Sequence, residues 1–473
     1  MSAMERARTP NAAARHPLAR GTIARYAIGS IGTGGFGTLP GLVLVFYLTD
    51  TLGVSAIVAG LVVTAAKVWD VVIDPWIGGF SDRSLARRGS RRPLMLLGAL
   101  ALPVGFLLTF AVPAGTAPWL AAVWVFLAFL ATATAFSLFQ VPYIALPAEL
   151  SPDYDERTRL LTWRVVVLSI AILLFGAGGP MLRGAGPDEY SGYLVMALAA
   201  GLVIGAGMLV ASTTARRGAP ATSGAAPAGA ASSGYREGFD ALRRSRPFRT
   251  LLAAFVLQGL ATGLMLAGAN YVAVWVLHSD DALTFLFVAL IAPAVLCAPL
   301  WGVLARRIGK ERGFALASGL FALAALSLVG MLWAPGAWVY APIALAGAAY
   351  AGMQSLPMAM LPDVISHDAS RNGAGRAGAF GGVWTAGETT GMALGATVLT
   401  IVLAVTGYLE SVGGTVVVQP DAAVAGIVVA FSVVPAALVG LSLLALRRYP
   451  LRRGDVEAEA HEGTLGAGTE EER

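Results

Sequence analysis

The chain has 473 residues, of which 56% are hydrophobic and only 13% are charged. A soluble domain carries about 25% charged residues, so the composition excludes an ordinary soluble fold and points to a membrane protein. The net charge of +5 would by itself fit an anionic partner such as nucleic acid, but the placement of the basic residues gives it a different meaning.

Residues 1–21 are polar and Arg-rich without an apolar core. No cleavable signal peptide is expected there, so the first helix should remain as a span. A membrane helix needs about 20 mostly apolar residues. Twelve stretches satisfy this: 22–48, 54–80, 94–112, 118–147, 161–182, 192–212, 250–277, 283–305, 313–333, 337–361, 377–407 and 422–446. The expected fold is therefore an all-α membrane protein of twelve transmembrane helices. Its parts are an N-terminal tail (1–21), a six-helix bundle (22–212), a linker (213–249), a second six-helix bundle (250–446) and a C-terminal tail (447–473). Residues 213–234 are rich in Ala, Gly, Ser and Pro and read as a flexible linker. Tyr235, Phe239 and Leu242 then recur at helical spacing beside Arg236, Arg243, Arg244 and Arg246, which predicts an amphipathic helix on the membrane surface.

With the N-terminus placed in the cytoplasm, 31 of the 33 Lys and Arg residues fall in or next to inside segments; Lys67 and Arg183 are the exceptions. This is the positive-inside pattern. It predicts a multi-pass protein of the plasma membrane with both termini cytoplasmic. The basic balance then records topology and contact with the lipid bilayer, and no nucleic-acid partner is expected. Trp119, Trp275 and Trp333 lie near helix ends and read as interfacial anchors. The lone Cys297 excludes an intramolecular disulfide.

The two sets of six helices resemble each other. Helix 2 contains Pro75-Trp-Ile-Gly78 followed by Asp82-Arg83, and helix 8 contains Pro299-Leu-Trp-Gly302 followed by Arg306-Arg307. Helix 4 ends on Pro142 and Pro147 before Glu149, and helix 10 on Pro357 and Pro362 before Asp363. Parallel six-helix repeats predict pseudo-two-fold symmetry, a central site between the halves and alternating access.

Lys67, Asp70 and Asp74 sit inside an apolar span at spacings of 3, 4 and 7, on one helical face. Charges at this depth face a bundle interior or a cavity, where they pair or bind ions. A cation site is the expectation, with a helix-stabilising ion pair as the other reading. Gln140 on helix 4 and Glu388 on helix 11 are further polar groups at membrane depth. Asn270 and Tyr271 face either the outer cavity or the helix packing.

Gly78-Gly-Phe-Ser-Asp82-Arg83 with Arg87-Arg88-Gly89-Ser90-Arg91-Arg92 resembles the helix 2–3 loop of the major facilitator superfamily. The string from Lys67 through Asp70 and Asp74 to Pro75 is similar to the glycoside–pentoside–hexuronide:cation symporters, the melibiose-permease-like branch. Tyr47 to Gly53, Pro142 to Arg164 and Leu361 to Gly391 agree with it. The resemblance implies a cation site at Asp70, Asp74 and Ser137 with Lys67 as charge partner. An amide ligand of the sodium-coupled carriers falls on Ile73 and is missing here, which favours a proton over Na⁺ as coupling ion; no other metal or cofactor is implied. The family's sugar-binding positions fall on Gly34, Gln140, Ile144, Arg164 and Thr389 beside Glu388, so a charged pair has become amide and hydroxyl chemistry. Gating is expected where Asp82, next to Arg83, meets the start of helix 11 near Arg376.

The expected function is cation-coupled symport of a small solute, a sugar or glycoside, by a monomer. A proton-driven exporter of drugs or metabolites and a lysolipid transporter are the alternatives. The sequence has no phosphate-binding Gly-rich motif, Ser/His/Asp set or metal-ligand spacing, so no enzymatic activity is expected.

Overall fold

The computed structural model describes residues 18–150, 154–215, 242–279, 281–372, 377–413 and 417–451. Tyr235, Phe239 and most of the expected amphipathic helix lie outside these residues, as does Arg376.

Twelve long helices run in chain order. They are α1 (Arg20–Thr51), α2 (Ala56–Arg88), α3 (Arg92–Thr109), α4 (Pro118–Leu150), α5 (Tyr154–Arg183) and α6 (Glu189–Ser212). After the linker come α7 (Arg246–Val276), α8 (Ala282–Ile308), α9 (Lys310–Leu332), α10 (Tyr340–Asn372), α11 (Ala377–Val405) and α12 (Asp421–Arg447). Eleven of them contain segments long and apolar enough to cross a membrane. The twelfth, α10, has 33 residues and stands where helix 10 was expected; Gly, Pro, Gln and Ser dilute its apolar content.

The boundaries differ from expectation at one end of the bundle. Helices α2, α4 and α10 have 33 residues each, roughly 50 Å at 1.5 Å per residue against a hydrocarbon core of about 30 Å. They run past their apolar stretches because a charged continuation such as Ser81–Arg88 is still a good helix former in water. Gly89 stops α2 with a left-handed φ of 65°. The paired prolines of α4 and α10 lie inside continuous helices rather than at their ends. Neighbouring helices satisfy the carbonyls that a membrane proline frees.

Glycines set the closest approaches. A Cβ on Gly98 of α3 would fall 2.5 Å from the Ala135 carbonyl of α4, and one on Gly347 of α10 would fall 1.9 Å from the Leu290 carbonyl of α8. Small residues at such crossings let backbones touch, which drives helix association in lipid.

Contacts between the first six and last six helices gather away from the chain termini, at what we call the outer end. Gly41 of α1 meets Leu266 of α7, Gly60 of α2 meets Thr400 of α11, and Gly176 of α5 meets Phe287 of α8. Thr64 of α2 bonds to Thr397 of α11. Thr284 of α8 donates to the Ala177 carbonyl of α5 at 3.3 Å.

Candidate functional site

Helix α2 carries the charged face. Lys67 Nζ lies 3.3 Å from Asp70 Oδ2 and 5.4 Å from the ring centre of Phe36 on α1. Asp74, a helical turn further, has Ser137 of α4 as a neighbour and lies within the fields of Asp70 and Lys67. Oδ1 of each aspartate is buried and has no hydrogen-bond partner. The sequence-predicted cation residues are thus together. Two carboxylates and one ammonium leave a net charge of −1 and two open acceptor oxygens, which suits one monovalent cation. Phe36 stacks on Phe136 at 4.5 Å between centroids, which fixes α1 against α4 beside this cluster.

One turn along α4 from Ser137 the chemistry becomes neutral. Gln140 Oε1 accepts a hydrogen bond of 2.8 Å from Thr33 of α1. Tyr143 donates to the Tyr26 carbonyl at 2.8 Å, and its hydroxyl lies 3.0 Å from Ser30 Oγ. The Arg164 guanidinium of α5 sits 5.6 Å from the Tyr143 ring centre, and its charge acts on the Tyr143 hydroxyl. Its Nε is buried without a partner. Helices α1 and α4 thus join Gln140 to Thr33 and Tyr143 to Ser30, and Arg164 of α5 lies over the Tyr143 ring. Only the small or hydroxylated character of Thr33, Ser30 and Tyr143, on the glycine-rich α1 and next to Gln140, hinted at them.

The remaining expectations fare differently. Gly34 is buried against α5, where a Cβ would lie 2.7 Å from the Ala171 Cβ; it serves close packing and presents no open wall to a solute. Ile144 is exposed. In the second half Glu388 and Thr389 are partly buried on α11. Glu388 lies in the field of Tyr350, whose hydroxyl accepts from Gln354 Nε2 at 2.9 Å, and makes no ion pair among the described residues. Gln258 is buried and donates to Ser318 and Ser442 at 2.8 and 3.0 Å, so it ties α7 to α9 and α12.

At the expected gate, the described partners of Asp82 lie within the first half. Asp82 pairs with Arg91 at 2.7 Å, and Arg91 also holds Glu149 of α4 and donates to Ser81 Oγ at 2.7 Å. Burial works against the Arg91 charge, but Glu149 and Asp82 outweigh it and raise its pKa above the ordinary arginine value. Arg83 donates to the Gly79 carbonyl of its own helix and lies over Phe80, while Arg376 lies outside the described residues. The second half carries a counterpart, Lys310 on Asp363 at 2.6 Å. Glu149 and Asp363 follow the matched proline pairs, so the sequence repeat places corresponding ion pairs.

Sequence reasoning missed the polar cluster at the outer end. Asp50 closes α1 inside a π-helical turn, Tyr47–Thr51. Its carboxylate accepts from Thr49 at 2.5 Å, from Trp275 Nε1 of α7 at 3.2 Å and from the Tyr408 hydroxyl, beyond α11, at 2.5 Å. Ser411 Oγ donates to the Asp50 carbonyl at 2.8 Å, and Thr49 bonds to the Tyr271 hydroxyl at 2.7 Å. Trp119 and Trp333 are exposed as expected of anchors, whereas Trp275 is drawn inward by Asp50. Asn270 and Tyr271 are fully buried, so they face packing rather than a cavity. The signal available was a carboxylate at the end of an otherwise apolar span.

Similarity to known proteins agrees with this geometry. An uncharacterized symporter of Synechocystis is 26% identical, over 87% of this chain and 90% of its own. The glucuronide carrier protein homolog of Escherichia coli is 23% identical over 91% and 92%. The crystal structure of a D-xylose–proton symporter superposes with a TM-score of 0.65 at 13% identity, covering 91% of this chain and 98% of that one, which supports the shared fold. The pattern of the MFS/sugar transport protein family matches residues 25–453, and the chain belongs to that family, the glycoside–pentoside–hexuronide symporters that the α2 motif resembled.

Proposed function

We propose that the chain is a cation-coupled symporter that carries a sugar or glycoside across a bacterial inner membrane by alternating access, as a monomer with both termini in the cytoplasm. The observation that carries this reading is the seating of two sites on one helix. Ser137 of α4 neighbours Asp74, and Gln140, one turn on, belongs to the neutral hydroxyl-rich cluster. A cation at Asp70 and Asp74 and a solute at Gln140 and Arg164 then bias the same element, which is what coupling requires. Glu388 and Thr389 of α11 complete the solute site from the second half. Ile144 borders it as an apolar contact.

The coupling ion is a proton. Na⁺ needs several oxygen ligands around it, and the Lys67 ammonium already stands 3.3 Å from Asp70, where it repels a second cation. A proton needs one carboxylate oxygen, and Asp70 and Asp74 each have a buried free one. The contacts at the outer end correspond to a state closed to the outside. Asp82 and Arg83 act within the first half in this state, and Arg376 joins them when the inner end closes.

The test is uptake into vesicles reconstituted with the purified protein, driven in turn by a pH gradient and by a Na⁺ gradient. A pH gradient drives accumulation, and Asp74→Asn retains solute exchange while gradient-driven accumulation falls to background. Accumulation driven by Na⁺ alone would sink the proton assignment. Undiminished accumulation in Asp74→Asn would sink the cation site.

A further inference from the structure

We propose that Glu410 is a positioning residue of the transport cycle. From the second half it caps α2, the helix that carries the cation site, so the outer end closes on a helix cap that one half supplies to the other. This rests on the alternating-access reading above, and on neither the solute nor the ion.

The repeat is unequal at this point. In the first half α5 ends at Arg183 and α6 starts at Glu189, so residues 184–188 connect them. In the second half α11 ends at Val405 and α12 starts at Asp421, so the connection runs over 406–420. A short loop suffices to join such helices; the longer one reaches the opposite half. Gly407, with a φ of 73°, turns the chain away from α11. The buried Gln419 accepts from the Leu409 amide at 3.0 Å and donates to the Leu409 carbonyl at 2.7 Å, which ties the base of the loop. Val412 then forms an antiparallel bridge with Leu52, at the corner between α1 and α2. In this register Glu410 Oε1 accepts from the Ala56 amide at 3.0 Å.

Ala56 is the first residue of α2. The first amides of a helix lack intrahelical partners and carry a partial positive charge. Ser55 occupies the N-cap position, yet its side chain makes no capping bond, and the first turn holds no acid. Ala56 itself is buried. The carboxylate that satisfies this helix start comes from 354 positions away. By contrast α6 is capped locally, with Asp188 accepting from the Ser191 amide at 2.9 Å, and needs nothing from the other half. Helix α2 continues unbroken for 33 residues through Lys67, Asp70 and Asp74, so a hold on its outer end also aims the cation-bearing face. When the halves part at the outer end, Glu410 leaves the start of α2, and the loss of that cap favours the closed state.

The test reads outer opening as the rate at which a membrane-impermeant maleimide alkylates a cysteine from outside, in the full-length protein with Cys297→Ala. One reporter is Val276→Cys, buried on α7; the other is Thr284→Cys, on the separate α5–α8 seam. Glu410→Ala should speed both about fivefold, the size of a lost helix cap. Glu410→Gln keeps an acceptor oxygen but loses the charge, and should speed both about twofold. Ser55→Asp leaves Glu410 in place, caps α2 from its own half and repels Glu410, so it should speed both as well. An unchanged rate in Glu410→Ala overturns the inference. A rise confined to Val276→Cys also overturns it, because that marks a loosened loop rather than an opened end. A wild-type rate in Ser55→Asp overturns it too, since Glu410 would then be a contact and not a cap. Ser55→Asp lies in the first half, so a Glu410 variant that fails to fold leaves the test intact. No solute or ion gradient enters the measurement, so this inference and the symport reading stand or fall separately.

Discussion

The two ends of the bundle hold their polar groups together in opposite ways. At the outer end, bonds cross between the halves: Asp50 to Trp275 and Tyr408, Thr49 to Tyr271, and the Ala56 amide to Glu410. The Ser411 and Gly413 amides also donate to the Thr49 and Thr51 carbonyls, each at 3.0 Å. At the inner end, Asp82–Arg91–Glu149 lies wholly in the first half and Lys310–Asp363 wholly in the second. The first arrangement fastens two bodies to each other; the second stiffens each body by itself. A rocking bundle needs both, because a rigid half transmits the motion and a breakable seam permits it.

The sharpest way to break the comparison is to make the seam permanent. Thr64→Cys with Thr397→Cys in a Cys297→Ala background places a disulfide where two side chains already touch. Transport should fall to background on oxidation and return with reductant. Full transport by the oxidised protein would show that the outer end does not open in the cycle.

The next effect is the reverse, a loosened seam. Asp50→Asn replaces a carboxylate that accepts from three side chains with an amide that itself donates. Each charge-assisted bond contributes about 1.5–3 kcal/mol, so the outward-open population should rise roughly tenfold or more. A cysteine placed at the buried Val276, again without Cys297, should be alkylated from outside correspondingly faster. An unchanged labelling rate would mean that the Asp50 bonds do not hold the outer end shut.

The smallest effects belong to the inner end and should appear in stability before transport. Arg91 is 7% exposed, and Arg91→Gln strands Glu149 and Asp82, which should destabilise the fold by about 2–4 kcal/mol. Lys310 is 42% exposed, and Lys310→Gln should cost less than about 1 kcal/mol because water screens the pair. Thermal unfolding of both variants decides the order. Equal losses would show that burial does not separate the two repeats.

Much of this molecule is written locally. Apolar runs set the spans and Lys67–Asp70–Asp74 declares itself by helical spacing. The matched prolines before Glu149 and Asp363 foretell where two ion pairs stand. These features depend on residues within a few turns of one another, and a sequence displays such neighbours directly. The choice of partner over distance does not show. Asp82 paired with Arg91 rather than with its neighbour Arg83. Gly34 turned to α5 because the α1 crossing leaves no room for a Cβ. Asp50 found partners 225 and 358 positions away. The sequence determined that helices cross a membrane, how many there are, and which faces carry charge, because burial in lipid and helical periodicity act along the chain. Only the tertiary structure decided which charges meet and where the two halves touch, because those depend on how twelve helices pack in three dimensions.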